Sequence, residues 1–182
     1  MMKPCPVMTI GIGQRSMETF LDTLGAHGVR YLIDLRSKPY SRYRPEFNRE
    51  ALQRALKERS ITYVYMGDTI GGLPEDRSCY TDNAVDYDKV RQKDFYRAGI
   101  ARVVKAYEGG HRIVLMCAEE KPERCHRSKL VGVTLEERGV PVVHIDEKGA
   151  LRSQDEVIRS LTGGQMNLFG SETDELRSRG RY

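Results

Sequence analysis

Short apolar runs alternate with stretches in which apolar residues recur every three or four positions. The runs are rich in β-branched residues and read as buried strands, whereas the periodic stretches are typical of amphipathic helices. The predicted strands cover residues 7–12, 31–35, 61–65, 111–116 and 141–145. The predicted helices start after Ser16 and Asn48, span 89–108, run from Cys125 to Gly139, and follow a capping box formed by Ser153 and Glu156.

This alternation predicts an α/β fold of three layers, an open, mostly parallel sheet with helices on both faces. We expect a single domain over residues 1–162 and a flexible tail over 163–182. Residues 66–88 lack periodicity, and a loop of that length in a compact domain is usually functional or partly structured. Sheets of this kind bind ligands beyond the carboxyl ends of their strands. Three segments therefore matter most, namely residues 11–16, 34–44 and 117–127.

Composition narrows the class of protein. Of 182 residues, 31% are charged and 39% hydrophobic, and no apolar run approaches the roughly 20 residues of a bilayer-spanning helix. The N-terminus has no secretory signal pattern, so we expect a cytoplasmic protein with no membrane partner. The four cysteines are too few and too scattered for a disulfide framework, which leaves free thiols, a metal site or a reactive thiol.

Charge is unevenly distributed along the chain. The net charge is +4, yet residues 36–59 contain eight basic and only three acidic side chains. Such a concentration is compatible with a phosphate-bearing partner, either a nucleotide or a nucleic acid, and equally with a solvated loop and helix face.

The segment after the second strand carries part of that charge. Asp34 and Arg36 leave the strand, and Ser41, Arg42 and Arg44 follow among aromatic residues. Guanidinium groups bind phosphate bidentately and aromatic rings stack on bases, so this segment is a candidate nucleic-acid surface. Asp34 is also a candidate catalytic carboxylate. Alternatively, Asp34 and Arg36 pair with each other and brace the loop.

The segment from Cys117 to Arg127 brings two thiols, an imidazole and two arginines between a strand and a helix. Nearby positive charge and a helix N-terminus would lower the pKa of Cys117 or Cys125 and make it a nucleophile. The layout resembles phosphatase and sulfurtransferase loops. However, Arg124 stands one residue later than the arginine of those loops, and three acidic residues would repel an anion.

Two other chemistries fit the same segment. Cys117, Cys125 and His126 could supply three metal ligands, with His111 or His144 as a fourth. Their spacing matches no common zinc pattern, however, and Cys117 could simply be a buried apolar residue. His126 could donate to a phosphate or act as general acid, with Glu119 as the general base and Arg127 as a phosphate ligand. In the first segment, backbone amides of residues 11–16 could cradle an anion, but no standard nucleotide motif is present.

Four segments, TIGIGQRSMETFLDTL, GVRYLIDLRSKPYSRYRPEFN, DTIGGLP and LMCAEEKPERCHRSKL, together resemble the family catalogued as domain of unknown function 488, over the chain to about residue 160. The resemblance implies an α/β fold but no established reaction, and it leaves the substrate open. It also implies a clustered site, with the residues Asp34, Arg36, Ser41, Arg42, Cys117, Glu119, Cys125, His126 and Arg127.

The tail contains Gln165, Leu168 and Phe169 in the order Gln-x-x-Leu-Phe. This resembles the peptide by which bacterial DNA-processing proteins dock on the sliding clamp, where the two apolar residues fill a pocket. Alternatively, Leu168 and Phe169 fold back onto the domain.

These features favour an enzyme that processes a nucleic acid or nucleotide in DNA maintenance or repair, acting on a phosphate-bearing or nucleobase substrate. The alternatives are a noncatalytic nucleic-acid-binding adaptor and a small-molecule thiol enzyme of the phosphatase or sulfurtransferase type. The sequence implies no cofactor.

Overall fold

The computed structural model describes residues 4–161 and residue 178. Its strands are β1 (Val7–Gly11), β2 (Tyr31–Asp34), β3 (Thr62–Tyr65), β4 (Tyr80–Thr81), β5 (Ala84–Val85), β6 (Ile113–Cys117), β7 (Val142–Ile145) and β8 (Leu151–Ser153). The α-helices are α1 (Met17–Ala26), α2 (Arg49–Glu58), α3 (Tyr87–Arg91), α4 (Asp94–Glu108), α5 (Val133–Glu137) and α6 (Gln154–Leu161), and a π-helical segment, Arg127–Gly132, leads into α5.

Six strands form one sheet in the order β3-β2-β6-β1-β7-β8, and all neighbours are parallel except β7 and β8. The predicted α/β fold with a mostly parallel sheet is confirmed. Strand β8 was not expected, because its three residues Leu-Arg-Ser carry no recognisable strand pattern.

Helices cover both faces of the sheet, and the chain changes face between β3 and β6. Apolar residues of α1 and α2 pack with one core cluster, while those of α3, α4 and α5 pack with the other. In the parallel register Gly11 lies beside Cys117, and Asp34 lies beside Met116. The three segments expected to carry chemistry therefore leave the same edge of the sheet from adjacent strands.

Two local predictions need correction. The helix expected over 89–108 is two helices, because Lys93 is extended (ψ 139°) and its ammonium pairs with Asp76 at 2.9 Å. Asn48 does precede α2, but its side chain makes no bond to that helix; its Oδ1 instead accepts the amide of Ser41 at 2.7 Å. In both cases a tertiary contact overrides the preference of the local sequence.

Residues 162–177 and 179–182 lie outside the described part of the chain, so Gln165, Leu168 and Phe169 stay a prediction from sequence. In the described part, the helices are too short or too polar to cross a bilayer.

A buried hydrogen-bond network ties β1, β7, α6 and the π-helical segment together. Gln154 Nε2 donates to the carbonyl of Ser128, so its Oε1 accepts from His144 Nε2 at 2.6 Å. His144 Nδ1 must then accept from the hydroxyl of Thr9 at 2.7 Å, and that oxygen accepts from Arg127 Nε at 3.2 Å. Every member is satisfied only while the imidazole of His144 is neutral.

We expect the free energy of unfolding to fall in acid, because His144 resists protonation only in the folded chain. Burial, with the charges of Arg127 and Arg152, lowers the pKa of His144 to about 3 despite the hydrogen bond to Gln154. As the pH falls below about 6.5, the unfolded chain binds this proton and the folded chain does not, so stability is lost down to pH 3. Between pH 7 and 4.5, the native chain should lose about 2–3 kcal/mol more free energy of unfolding than His144→Gln.

Urea unfolding at several pH values measures this difference. The control is His111→Gln, at an exposed histidine, which should follow the native curve. Parallel pH profiles for the native chain and His144→Gln would contradict the assignment.

Candidate functional site

A pocket of about 810 Å³ opens at the carboxyl ends of β2 and β6. Its walls come from residues 35–38 after β2, residues 117–119 after β6, the start of the following helical segment, residues 72–73 of the long central loop, and Tyr87 of α3. Its size is within the range of small-molecule sites. Two of the three predicted segments therefore meet at one cavity.

A buried ion pair sets the wall after β2. Arg36 donates through Nε and Nη2 to both carboxylate oxygens of Asp34, the closest contact being 2.6 Å, and the hydroxyl of Tyr63 donates to the same carboxylate at 2.8 Å. Burial acts to lower the pKa of Arg36, but the hydrogen bonds and charge of Asp34 outweigh it and raise that pKa. Arg36 lines the pocket whereas Asp34 is fully buried outside its lining, so Asp34 is a positioning residue.

The ionisable groups around the pocket are mainly cationic. Four basic residues line it, Arg36, Lys38, Arg124 and Lys129, and Glu119 is the one carboxylate among the described lining residues. Lys129 is almost fully buried. Cations on a partly dry wall attract a phosphate more strongly than they would in bulk water.

Both thiols and the imidazole predicted to carry chemistry meet in this pocket. His126 Nδ1 lies 3.6 Å from Cys125 Sγ and 3.8 Å from Cys117 Sγ, and the three atoms lie within 4.8 Å of one another. Cys117 ends β6, and Cys125 with His126 begins the next helical turn. The cluster therefore depends on the loop between them folding back over the sheet edge.

The two thiols differ in acidity. The hydrogen bond to Cys125 and burial raise the pKa of Cys117. Burial also acts to raise the pKa of Cys125, but the hydrogen bond from Cys117 and the charge and backbone amide of Arg127 outweigh it and lower that pKa to about 7. Of the two, Cys125 ionises first.

Gly72 holds the imidazole of His126 in place. A Cβ at position 72 would stand 2.7 Å from Nδ1, so any larger residue must displace the ring. The other ring nitrogen, Nε2, is buried and has no hydrogen-bond partner in the described part of the chain. Packing against Gly72 and the contacts of Nδ1 therefore set the position of this ring.

Arg127, predicted to bind phosphate, is fully buried and does not line the pocket. Its Nη1 and Nη2 donate to the carbonyls of Glu119 and Glu120, the latter at 2.7 Å, and its Nε donates to Thr9. The guanidinium thus holds the loop after β6 in shape. In this structure it is a positioning residue.

The first loop offers no open anion cradle. The amides of Ile12 and Gly13 donate to the carbonyls of Cys117 and Ala118 at 2.9 and 3.1 Å. A Cβ on Gly11 would overlap the carbonyl of Glu119, so glycine is required for the two loops to touch. The expectation was therefore wrong for Ile12 and Gly13, because the neighbouring loop already uses their amides.

Ser41, Arg42 and Arg44 lie outside the pocket lining. The hydroxyl of Ser41 accepts the amides of Tyr43 and Arg44 at 3.2 Å, and the guanidinium of Arg44 bonds to carbonyls of the first loop and to Glu46. Arg42 is exposed. These three residues shape or extend the surface beside the pocket, and phosphate binding by them stays a prediction.

Sequence reasoning does not single out Lys38, Gly72 or Lys129 as pocket residues. Lys129 follows Cys125 by four positions, a spacing that puts both on one helical face and could have identified it. Lys38 and Gly72 carry no such signal, since their places depend on how two loops pack.

The fold and pocket together define an α/β protein with a thiol–imidazole cluster inside a cationic cavity. A family model described as domain of unknown function DUF488 matches residues 16–134, and the chain belongs to this family. No curated protein and no solved structure matches the chain. The matched range contains every described residue that lines the pocket except Ser178.

Proposed function

We propose that this protein is an enzyme that binds the phosphate of a nucleotide or nucleic acid in the pocket and processes it in DNA maintenance. One observation carries the proposal: four basic residues from two segments, two after β2 and two after β6, converge with a single carboxylate among the described residues that line a pocket of nucleotide size. Tyr87 and Leu73 add an apolar wall against which a base can pack. Glu119 lines the same cavity as a group able to exchange a proton with the substrate, and His126 lines it together with the two thiols.

Binding can be tested with a fluorescently labelled single-stranded DNA oligonucleotide, followed by fluorescence polarisation at 50 and 200 mM salt. We expect affinity to fall with salt, because phosphate neutralisation releases counterions. The double variant Lys38→Gln/Arg124→Gln should bind at least about tenfold more weakly, a loss of about 1.4 kcal/mol, and its salt slope should decrease. Unlabelled nucleoside monophosphate should compete better than inorganic phosphate if the pocket also contacts the base.

The matched control is Arg54→Gln/Lys57→Gln, which removes the same charge from exposed positions of α2 outside the pocket. Loss of binding in the control but not in the pocket variant would move the interface to the α2 surface. No binding at 50 mM salt would overturn the proposal.

A substitution of Glu119, whose side chain is exposed at the pocket, distinguishes the enzyme hypothesis from the adaptor hypothesis. Glu119→Gln keeps the size of the side chain and removes its basic carboxylate. An enzyme should keep its DNA affinity and lose its activity in cells, whereas an adaptor should keep both.

A further inference from the structure

We infer that Cys117, Cys125 and His126 bind one zinc ion whose fourth coordination position opens into the pocket. The inference deepens the proposed function, because it adds a metal centre to the pocket. Zinc binding itself does not depend on that proposal; only the action of the zinc centre on a nucleotide or nucleic acid rests on it.

The first argument is the distance between ligand atoms. In tetrahedral zinc sites, bond lengths of about 2.3 Å to sulfur and about 2.05 Å to nitrogen place a sulfur and a nitrogen ligand about 3.6 Å apart. His126 Nδ1 stands 3.6 Å from one sulfur and 3.8 Å from the other. Both nitrogen–sulfur distances therefore match a tetrahedral site, and the two sulfurs, which lie within 4.8 Å of each other, need to be about 3.8 Å apart in it.

The second argument is hydrogen-bond capacity. A neutral imidazole nitrogen has either one proton or one lone pair, so Nδ1 can make one good bond. Here it faces two sulfurs at nearly equal distances. A cation among the three atoms satisfies the nitrogen and both sulfurs at once.

The third argument concerns the type of site. Sulfur and imidazole ligands favour zinc over magnesium or calcium, which take oxygen. A structural zinc site has four protein ligands, whereas a catalytic site has three and a water. Among residues 4–161 and 178, no fourth histidine, cysteine, aspartate or glutamate belongs to this group, and all three ligands line the pocket.

Charge is compatible with this assignment. Two thiolates neutralise the charge of the divalent ion, so the metal centre adds no net positive charge that would repel the surrounding basic residues. His126 then acts as a ligand rather than as an acid, and Glu119 remains as the pocket base. Zinc lowers the pKa of a bound water to about 7, which suits hydrolytic chemistry on a bound substrate.

The test is zinc binding by the full chain without nucleotide, so that its outcome is independent of the proposed function. The chain is stripped with a chelator, kept reduced, and titrated with Zn²⁺ against a chromogenic chelator. We expect one zinc per chain. Affinity should fall by more than about 100-fold in Cys117→Ser, Cys125→Ser and His126→Ala, since loss of even an outer-shell partner costs 10- to 100-fold.

The matched controls are Cys79→Ser and Cys5→Ser, at free thiols outside the cluster, which should keep the native affinity. Circular dichroism verifies that each variant is folded. Gly72→Ala gives a second, milder perturbation: its Cβ displaces the imidazole, so affinity should fall about tenfold. Gly25→Ala, whose Cβ meets nothing within 4 Å, should leave the affinity unchanged.

Co²⁺ provides a spectroscopic readout. The native chain should show the visible bands of tetrahedral cobalt and a sulfur-to-cobalt charge-transfer band, and His126→Ala should alter both. The inference is overturned if the native chain binds zinc no better than Cys117→Ser/Cys125→Ser, or if His126→Ala leaves the spectrum unchanged. Alkylation of Cys125 at the same rate in the zinc-loaded and the zinc-free protein would also overturn it and favour a thiol nucleophile.

Discussion

Replacing Asp34 with alanine is expected to lower the free energy of unfolding by about 3–5 kcal/mol. The substitution leaves the guanidinium of Arg36, which is 8% exposed, without its bidentate partner, and leaves the hydroxyl of Tyr63 without its acceptor. An uncompensated buried charge is among the costliest defects in a folded protein. Urea unfolding followed by circular dichroism measures the change.

Two comparisons make this result specific. Asp22→Ala removes a surface ion pair between Asp22 and Arg59, whose side chains are 61% and 46% exposed, respectively. This change should lower the free energy of unfolding by less than about 1 kcal/mol. The double variant Asp34→Leu/Arg36→Met removes both charges and should recover much of the loss. If Asp34→Ala costs no more than Asp22→Ala, the pair does not brace the pocket wall.

Arg127→Lys and Arg127→Met should both destabilise the fold by about 3 kcal/mol or more, because each leaves one buried and two partly buried acceptors unpaired, at about 1–3 kcal/mol for a buried one. The acceptors are the carbonyls of Glu119 and Glu120 and the hydroxyl of Thr9. Lysine keeps the charge but cannot reproduce the planar fork that reaches all three. The same unfolding measurement applies.

The contrasting variant is Arg124→Met, at an exposed arginine of the same loop that lines the pocket. It should leave stability within about 0.5 kcal/mol and weaken oligonucleotide binding. If Arg127→Lys instead retains native stability and loses affinity as Arg124→Met does, then Arg127 binds the phosphate and does not hold the loop.

Local sequence patterns were sufficient to predict most of the strands and helices. Ser16 caps α1, accepting the amide of Thr19 at 3.1 Å, and the predicted Ser153–Glu156 capping box is present before α6. The carboxyl ends of parallel strands lie at one edge of the sheet, so the sequence also predicted that Cys117 and the segment after Asp34 leave the same edge. That β2 and β6 are neighbours, which brings the two segments to one pocket, was decided by the tertiary structure.

Functional roles were harder to infer, because a side chain's role depends on its partners. Arg36 and Arg127 look alike in sequence, because each is a basic residue in a segment that follows a strand and was predicted to bind phosphate. One lines the pocket and the other is fully buried among carbonyls. Periodicity and composition contain no information about which carbonyl a guanidinium will meet.

The sequence alone determined the α/β class, the edge of the sheet that carries chemistry, and the identity of the thiols and imidazole there. Those properties follow from residue type and from spacing within a helix or strand. Only the tertiary structure decided that Lys38, Gly72 and Lys129 join the pocket, that the first loop is closed, and that one nitrogen of His126 faces two sulfurs. These properties depend on contacts between segments far apart in the chain, which long-range packing alone establishes.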